Sequence, residues 1–398
     1  MDITIYPKKL NGTVTAIPSK SQAHRLLICA ALADKPTKLI CSATNQDIDA
    51  TADCLRSLGA NITYENGIFS VIPIRTLPQN AQLDCGESGS TLRFLLPVAG
   101  ALGVDTTFVL HGRLPQRPLS PLWEEMERMG CNLSRPTETT VRCTGKLHGG
   151  DYKIAGNVSS QYITGLLLAM TQIPSPCSLI IEGKLESKPY VDMTLDAMKA
   201  FGVDISAFKT DGCSAFCSPE TMQVEGDWSN AAFFLAAQAM GSDLTVAGLN
   251  PSSSQGDRAC WDILPNLTNN PTIDASDIPD LVPILAVAAA ASGGAKFTNI
   301  GRLRLKESDR VASVCNMLKN IGIDAISDKN TMTVFPGQFH GGTVDSVSDH
   351  RIAMAAAIAA TVADGPVTIL SAQCVAKSYP SFWEEYRALG GHYEQYIR

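Results

Sequence analysis

The chain has 398 residues, 45% of them hydrophobic and 18% charged, a globular balance in a length that exceeds what one core usually supports, so two domains are expected. Its formal net charge of -7 argues against a general nucleic-acid or membrane surface, which needs a basic excess, and leaves any basic site local. Twelve cysteines include no CxxC pair and no zinc spacing, so reduced thiols in a cytoplasmic protein, with no metal, are the expectation.

Met1-Asp2-Ile3-Thr4 has no basic region ahead of an apolar core, and no secretion signal is expected. Ser19-Lys20-Ser21 then opens the first of six Ala- and Leu-rich stretches, each preceded by Ser, Thr, Asp, Asn or Gly and long enough to be a helix. The next start at Gly86-Glu87-Ser88-Gly89, Ser159-Ser160-Gln161 and Gly226-Asp227-Trp228-Ser229-Asn230. The last two start at Ser276-Asp277-Ile278-Pro279-Asp280 and Ser348-Asp349-His350-Arg351. The run after Asp280 is the longest apolar one, but Pro283 and Ser292-Gly293-Gly294 interrupt it, so it is not expected to span a membrane. Each helix start leaves backbone N–H groups at a positive dipole end, a natural anion site. Lys20, Arg25, Arg93 and Arg351 lie in or just after these starts, which points to a negatively charged small molecule.

The starts recur roughly every 70 residues, with one gap near 50, a period too long for a solenoid unit. Between them a helix end, a glycine and a strand start recur at Gly59, Gly130, Gly202, Gly322 and Gly390. The fourth unit, around Leu264 to Ser276, lacks the glycine. Gly67–Ile72 and Thr331–Phe335 alternate as half-buried strands do. Six such units, three per lobe, predict two similar α+β domains.

Pro18-Ser19-Lys20-Ser21 with Arg25, Gly89 with Arg93, Ser159-Ser160-Gln161, Ser187-Lys188-Pro189-Tyr190, Lys306-Glu307-Ser308-Asp309-Arg310, Ser348-Asp349-His350-Arg351 and Lys377 form one ordered set. That set, from about residue 7 to residue 383, resembles the 5-enolpyruvylshikimate-3-phosphate synthases. The resemblance implies an α/β (α+β) fold of two lobes, each an inside-out α/β barrel of three units, with buried parallel helices and sheets facing solvent. It divides the chain into residues 1–18 with 226–398 and residues 19–225, with the active site in the cleft between the lobes.

The implied chemistry transfers the enolpyruvyl group of phosphoenolpyruvate to the 5-hydroxyl of shikimate 3-phosphate by addition and elimination. This needs a base, an acid and dense positive charge, but no cofactor and no metal. The substrates bring about five or six negative charges, given a second phosphate pKa near ~6. By family position Lys20, Gly89, Arg93, Arg117, Gln161, Arg310, Arg351 and Lys377 would hold phosphoenolpyruvate. Lys20, Ser21, Arg25, Ser159, Ser160, Gln161, Ser187, Tyr190, Asp280 and Lys306 would hold shikimate 3-phosphate. Glu307 matches the residue that protonates the methylene carbon, and Asp280 the one that takes the hydroxyl proton, with Lys306 able to share either role. From the residues alone a helix-capping carboxylate is the lesser alternative for Asp280, and His350 is equally a catalytic or a packing residue.

Phe94 stands where many members have a proline, which bears on the pocket that the inhibitor glyphosate occupies. Arg302 replaces an asparagine, and could add a cation or swing away. The related UDP-N-acetylglucosamine enolpyruvyl transferases carry a reactive cysteine where this chain reads His111-Gly112-Arg113-Leu114-Pro115-Gln116-Arg117-Pro118. RNA-end cyclases share a similar repeat but would need a more basic face, and a noncatalytic descendant would have lost charged residues. A monomer is expected, with no nucleic-acid or membrane partner.

Overall fold

The computed structural model describes residues 1–396. Two compact units make up the chain: Pro18–Glu225, and Met1–Ile17 together with the chain from Gly226.

In Pro18–Glu225 the helices are α1 (Lys20–Ala31), α2 (Gln46–Ser57), α3 (Gly89–Leu102), α4 (Leu122–Arg128), α5 (Ser160–Met170) and α6 (Lys188–Ala200). Three are buried along nearly their whole length: α1, α3 and α5. Helices α3 and α5 are mostly apolar, as a helix with little solvent face must be, whereas α1 also buries the polar His24 and Arg25. By contrast α2 buries only one stripe, through Ile48, Ala52 and Leu55. Parallel strands need a crossover, and the buried helices supply it. Helix α3 joins Asn80–Asp84 to its parallel neighbour Asp105–Val109, and α5 joins Gly150–Ala155 to Cys177–Glu182. The strand Thr37–Ile40, which follows α1, finds its parallel partner in Thr221–Gln223 as the chain returns. Antiparallel strands complete each sheet, and the strands alternate: Phe69 and Val71 point to the core while Ile72 is exposed. The helices therefore sit inside and the sheets outside.

The other unit repeats this plan with α7 (Trp228–Ala239), α8 (Cys260–Ile263), α9 (Val282–Ala290), α10 (Arg310–Asn320), α11 (His350–Ala360) and α12 (Phe382–Ala388). Every residue of α9 and α11 is buried. Helix α9 links the parallel pair Thr272–Asp274 and Ala295–Thr298, and α11 links Gly342–Asp345 and Val367–Leu370. Asp243–Ala247, after α7, runs parallel to Asn11–Thr15. The two inside-out α/β units expected from the sequence are thus present.

Two local departures have simple causes. All five repeat glycines have positive φ, and at Gly130 a Cβ would lie 2.6 Å from Lys146 O. After Gly202, however, no strand starts until Lys209–Thr210. Asp204 Oδ1 accepts from Ser206 N at 3.0 Å, an Asx turn that ends the extension. In the unit without a glycine, Asn270 takes the left-handed position at φ 45. Among the described residues no helix is long and apolar enough to cross a membrane.

Candidate active site

Five of the six capping clusters cap. Ser19, Ser88, Ser159, Asp227 and Asp349 each accept from a backbone N–H in the first turn of the helix that follows. The fifth cluster along the chain does not. Helix α9 begins at Val282 with no side-chain cap and with proline in its first turn, whose missing N–H removes one donor that a cap would serve. Asp280 therefore stands ahead of the helix and pairs with cations, so the capping alternative fails.

In Pro18–Glu225, α3 and α5 pack side by side and present their first turns together. Arg93 Nη1 donates to Gln161 Oε1 at 3.0 Å, Gln161 Nε2 donates to Ser90 Oγ at 3.0 Å, and Arg93 Nη2 donates to Pro118 O at 3.1 Å. Gly89 leaves room for the guanidinium groups: a Cβ there would lie 2.5 Å from Arg93 Nη1 and 2.8 Å from Arg117 Nη1. Gly89, Arg93, Arg117 and Gln161 are therefore brought together. Lys20 Nζ is held 2.9 Å from Asp47 Oδ2, and Thr91 Oγ1 donates to Asp47 O at 3.4 Å, tying α1, α2 and α3 at their N-terminal ends. Ser21 and Lys20 share the first turn of α1.

Arg25, expected from the family resemblance to hold shikimate 3-phosphate, makes several contacts within the protein. It is buried, and Nε donates to Thr194 Oγ1 at 2.8 Å, Nη1 to Ser21 O at 2.5 Å and Nη2 to Tyr190 O at 2.7 Å. Burial lowers it to about 10, with Tyr190 and Cys29 opposing. Its donors thus join α1 to α6, where Ser187 takes a left-handed φ of 54 just before the helix and Tyr190 follows in the first turn. Ser159 caps α5 and Ser160 is buried at its start.

In the second unit Arg310 is the hub. Its fork reaches Asp280 Oδ1 at 2.7 Å, Glu307 Oε2 at 2.7 Å and Asp349 Oδ2 at 2.8 Å. Ser308 Oγ donates to the same Asp349 oxygen at 2.9 Å, and Asp349 Oδ1 caps Arg351 N at 3.0 Å. Arg351 Nη2 lies 3.0 Å from Asp280 Oδ2, and Lys306 Nζ lies 3.4 Å from Asp280 Oδ1. Burial pushes Asp280 upward, but Arg351, Lys306 and Arg310 outweigh it and hold the carboxyl well below the usual range. Lys306 is lowered from the ordinary lysine value, chiefly by burial and also by Arg310, although Asp280 opposes the shift. Lys377 is buried at the end of a 3-10 turn, Ala372–Lys377, and His350 is buried in the first turn of α11. Arg302 Nη2 donates to Ser276 O at 2.7 Å, so it neither swings out nor stands alone.

Asp47, Ser90, Thr164, Thr194 and Asp257 also serve these clusters, and no motif in the sequence singled them out. Asp47 sits in the first turn of a helix, where an acid has an ordinary dipole role. Only its nearness to Lys20 in space reveals the pairing. Among the described residues no group of three or more His, Cys, Asp or Glu is arranged to hold a metal ion.

The comparisons with known proteins agree in direction. A family model described as EPSP synthase (3-phosphoshikimate 1-carboxyvinyltransferase) matches residues 5–386. A 3-phosphoshikimate 1-carboxyvinyltransferase of Clostridium kluyveri is 37% identical over 99% of this chain and 98% of its own. One from Clostridium perfringens is 38% identical over 98% of each. Among solved structures, EPSP synthase from Acinetobacter baumannii superposes with TM-score 0.79 and 25% identity over 99% of this chain and 100% of its own. The enolpyruvyl transferase NikO from Streptomyces tendae, at TM-score 0.75 and 17% identity over 99% of this chain and 98% of its own, shares the fold.

Proposed function

Because the chain belongs to the EPSP synthase family, we propose that it transfers the enolpyruvyl group of phosphoenolpyruvate to the 5-hydroxyl of shikimate 3-phosphate. Phosphate and 5-enolpyruvylshikimate 3-phosphate are the products. The observation that carries the assignment of roles is the convergence of Arg310, Arg351 and Lys306 on Asp280, with Glu307 on the same Arg310.

Phosphoenolpyruvate is a small dianion or trianion, and guanidinium forks match its carboxylate and phosphate oxygens. In our reading Lys20, Arg93, Arg117, Gln161, Arg310, Arg351 and Lys377 bind it, while Gly89 keeps the approach to Arg93 and Arg117 open. Ser21, Ser159, Ser160, Gln161, Ser187 and Tyr190 bind shikimate 3-phosphate together with Lys20, Asp280 and Lys306. Arg25 contributes by fastening Ser21 and Tyr190, its donors being directed at protein acceptors.

Proton movement follows from the charges. The free carboxylate of Asp280 is a weak base because three cations face it. Substrate anions taking up Arg310 and Arg351 draw that charge away and raise its basicity as the hydroxyl arrives. The hydroxyl oxygen then bonds to the central carbon of phosphoenolpyruvate while its proton passes to Asp280. The double-bond electrons take a proton at the methylene carbon from Glu307, with Lys306, already lowered by burial, as the alternative donor. The new methyl group then returns a proton to the Glu307 carboxylate, its C–H electrons re-form the double bond, and the bond from the central carbon to the phosphate oxygen breaks, releasing phosphate. Soluble anionic substrates suit a cytoplasmic enzyme. Phosphate release from phosphoenolpyruvate that requires shikimate 3-phosphate tests the assignment.

A further inference from the structure

Asp257 stands behind the cations of the second unit and belongs to none of the motifs that identify them. It lies on a 3-10 turn, Gly256–Ala259, and is 3% exposed. Ser229, in the first turn of α7, donates its hydroxyl to Asp257 Oδ2 and accepts from Arg351 Nη2 at 3.0 Å. That same Arg351 nitrogen reaches Asp280 Oδ2 at 3.0 Å, and Nη1 reaches Asp280 O at 3.2 Å. The turn is fastened to α7 by its neighbour Gln255, whose Oε1 accepts from Trp228 N at 3.1 Å and whose Nε2 donates to Gly226 O at 2.8 Å.

A serine hydroxyl has one proton and two lone pairs. With the proton committed to Asp257, the lone pairs are turned toward Arg351; without that acceptor the hydroxyl could rotate its hydrogen toward the guanidinium. Stability alone gives no reason for this acid. Burial and the facing Asp280 and Asp227 push Asp257 up to about 6, against Arg351 and Ser229, and buried charges are seldom worth more than apolar residues of the same size.

We propose that Asp257 is a positioning residue that acts through Ser229 to fix the guanidinium of Arg351 in the orientation that receives phosphoenolpyruvate. This rests on the role given to Arg351 above.

Steady-state turnover, with phosphoenolpyruvate varied at saturating shikimate 3-phosphate, tests it. Ser229→Ala should raise KM for phosphoenolpyruvate about 10-fold, the loss of one charge-assisted hydrogen bond, with kcat within about 3-fold. Ser229→Thr, which keeps the hydroxyl, should stay within about 2-fold of the parent. Asp257→Ala should match Ser229→Ala, and the double variant should be no worse than either, since both break one chain of contacts. Calorimetric binding of shikimate 3-phosphate alone should be unchanged throughout. The inference fails if Ser229→Ala leaves KM within about 2-fold, if the effects multiply in the double variant, or if shikimate 3-phosphate binding weakens in parallel. A parent protein that releases no phosphate would instead overturn the function itself.

Discussion

Arg310 Nη1 lies 2.7 Å from Asp280 Oδ1, and the remaining nitrogens of the same buried guanidinium hold Glu307 and Asp349. One planar cation thus organises three carboxylates contributed by three stretches of sequence. Two of the three, Asp280 and Glu307, carry proposed proton-transfer roles. Arg310→Lys keeps the charge but not the fork, so two of the three acids lose a buried ionic contact. We expect at least about a 100-fold fall in kcat/KM and a destabilisation of about 3–5 kcal/mol. Denaturant titration beside steady-state kinetics would show it, and a lysine variant of near-parental stability would mean that the carboxylates do not depend on this hub.

Gly89 makes the equivalent test in Pro18–Glu225. A methyl group there would collide with Arg93 Nη1 and Arg117 Nη1, both side-chain ends that can give way, so folding should survive. Gly89→Ala should raise KM for phosphoenolpyruvate about 10-fold or more, one misplaced charge-assisted contact, and leave shikimate 3-phosphate binding intact. Equal weakening of both ligands would show that the glycine serves packing.

Glu307→Gln separates charge from proton donation. The amide keeps the shape but has no acidic proton, so kcat should fall about 100-fold to 10,000-fold while ligand dissociation constants change far less. If the variant turned over within a few-fold of the parent, Lys306 would become the donor.

His24 gives an expectation about pH. It is fully buried in α1, with Nδ1 2.6 Å from Thr51 Oγ1, and Thr51 continues to Thr91 at 2.7 Å. Burial, against the pull of Asp47, lowers its pKa to about 3 from 6.5. The unfolded chain therefore binds the proton first as pH falls. Stability from the neutral ring is fully present above pH 6.5 and is lost toward pH 3, by up to about 1.4 kcal/mol per pH unit. Urea midpoints at pH 7, 6 and 5 should fall more steeply for the parent than for His24→Gln. Parallel declines would show that His24 does not titrate in this way.

The helix starts and ends, and the cations Lys20, Arg25, Arg93 and Arg351 beside them, could be read from local signals, while the inside-out arrangement and the other candidate site residues came from the family resemblance. Capping residues before Ala- and Leu-rich runs mark α1, α3, α5, α7 and α11, and positive-φ glycines mark the ends of α2, α4, α6, α10 and α12. What could not be read is which partner each charge meets. Asp47 with Lys20, Arg25 with Thr194 and Asp257 with Ser229 are separated by 27, 169 and 28 residues, and their contacts exist only after the helices pack. Asp280 shows the same limit: its position before an apolar run has the appearance of a cap, yet the proline in the first turn of α9 and the three facing cations assign it otherwise.

The central claim is the reaction itself, and phosphate release measures it most directly. Purified protein with phosphoenolpyruvate and shikimate 3-phosphate should release phosphate only when both are present, at a rate that a chelator does not change. Release that needs UDP-N-acetylglucosamine in place of shikimate 3-phosphate, or none with either acceptor, would contradict the account.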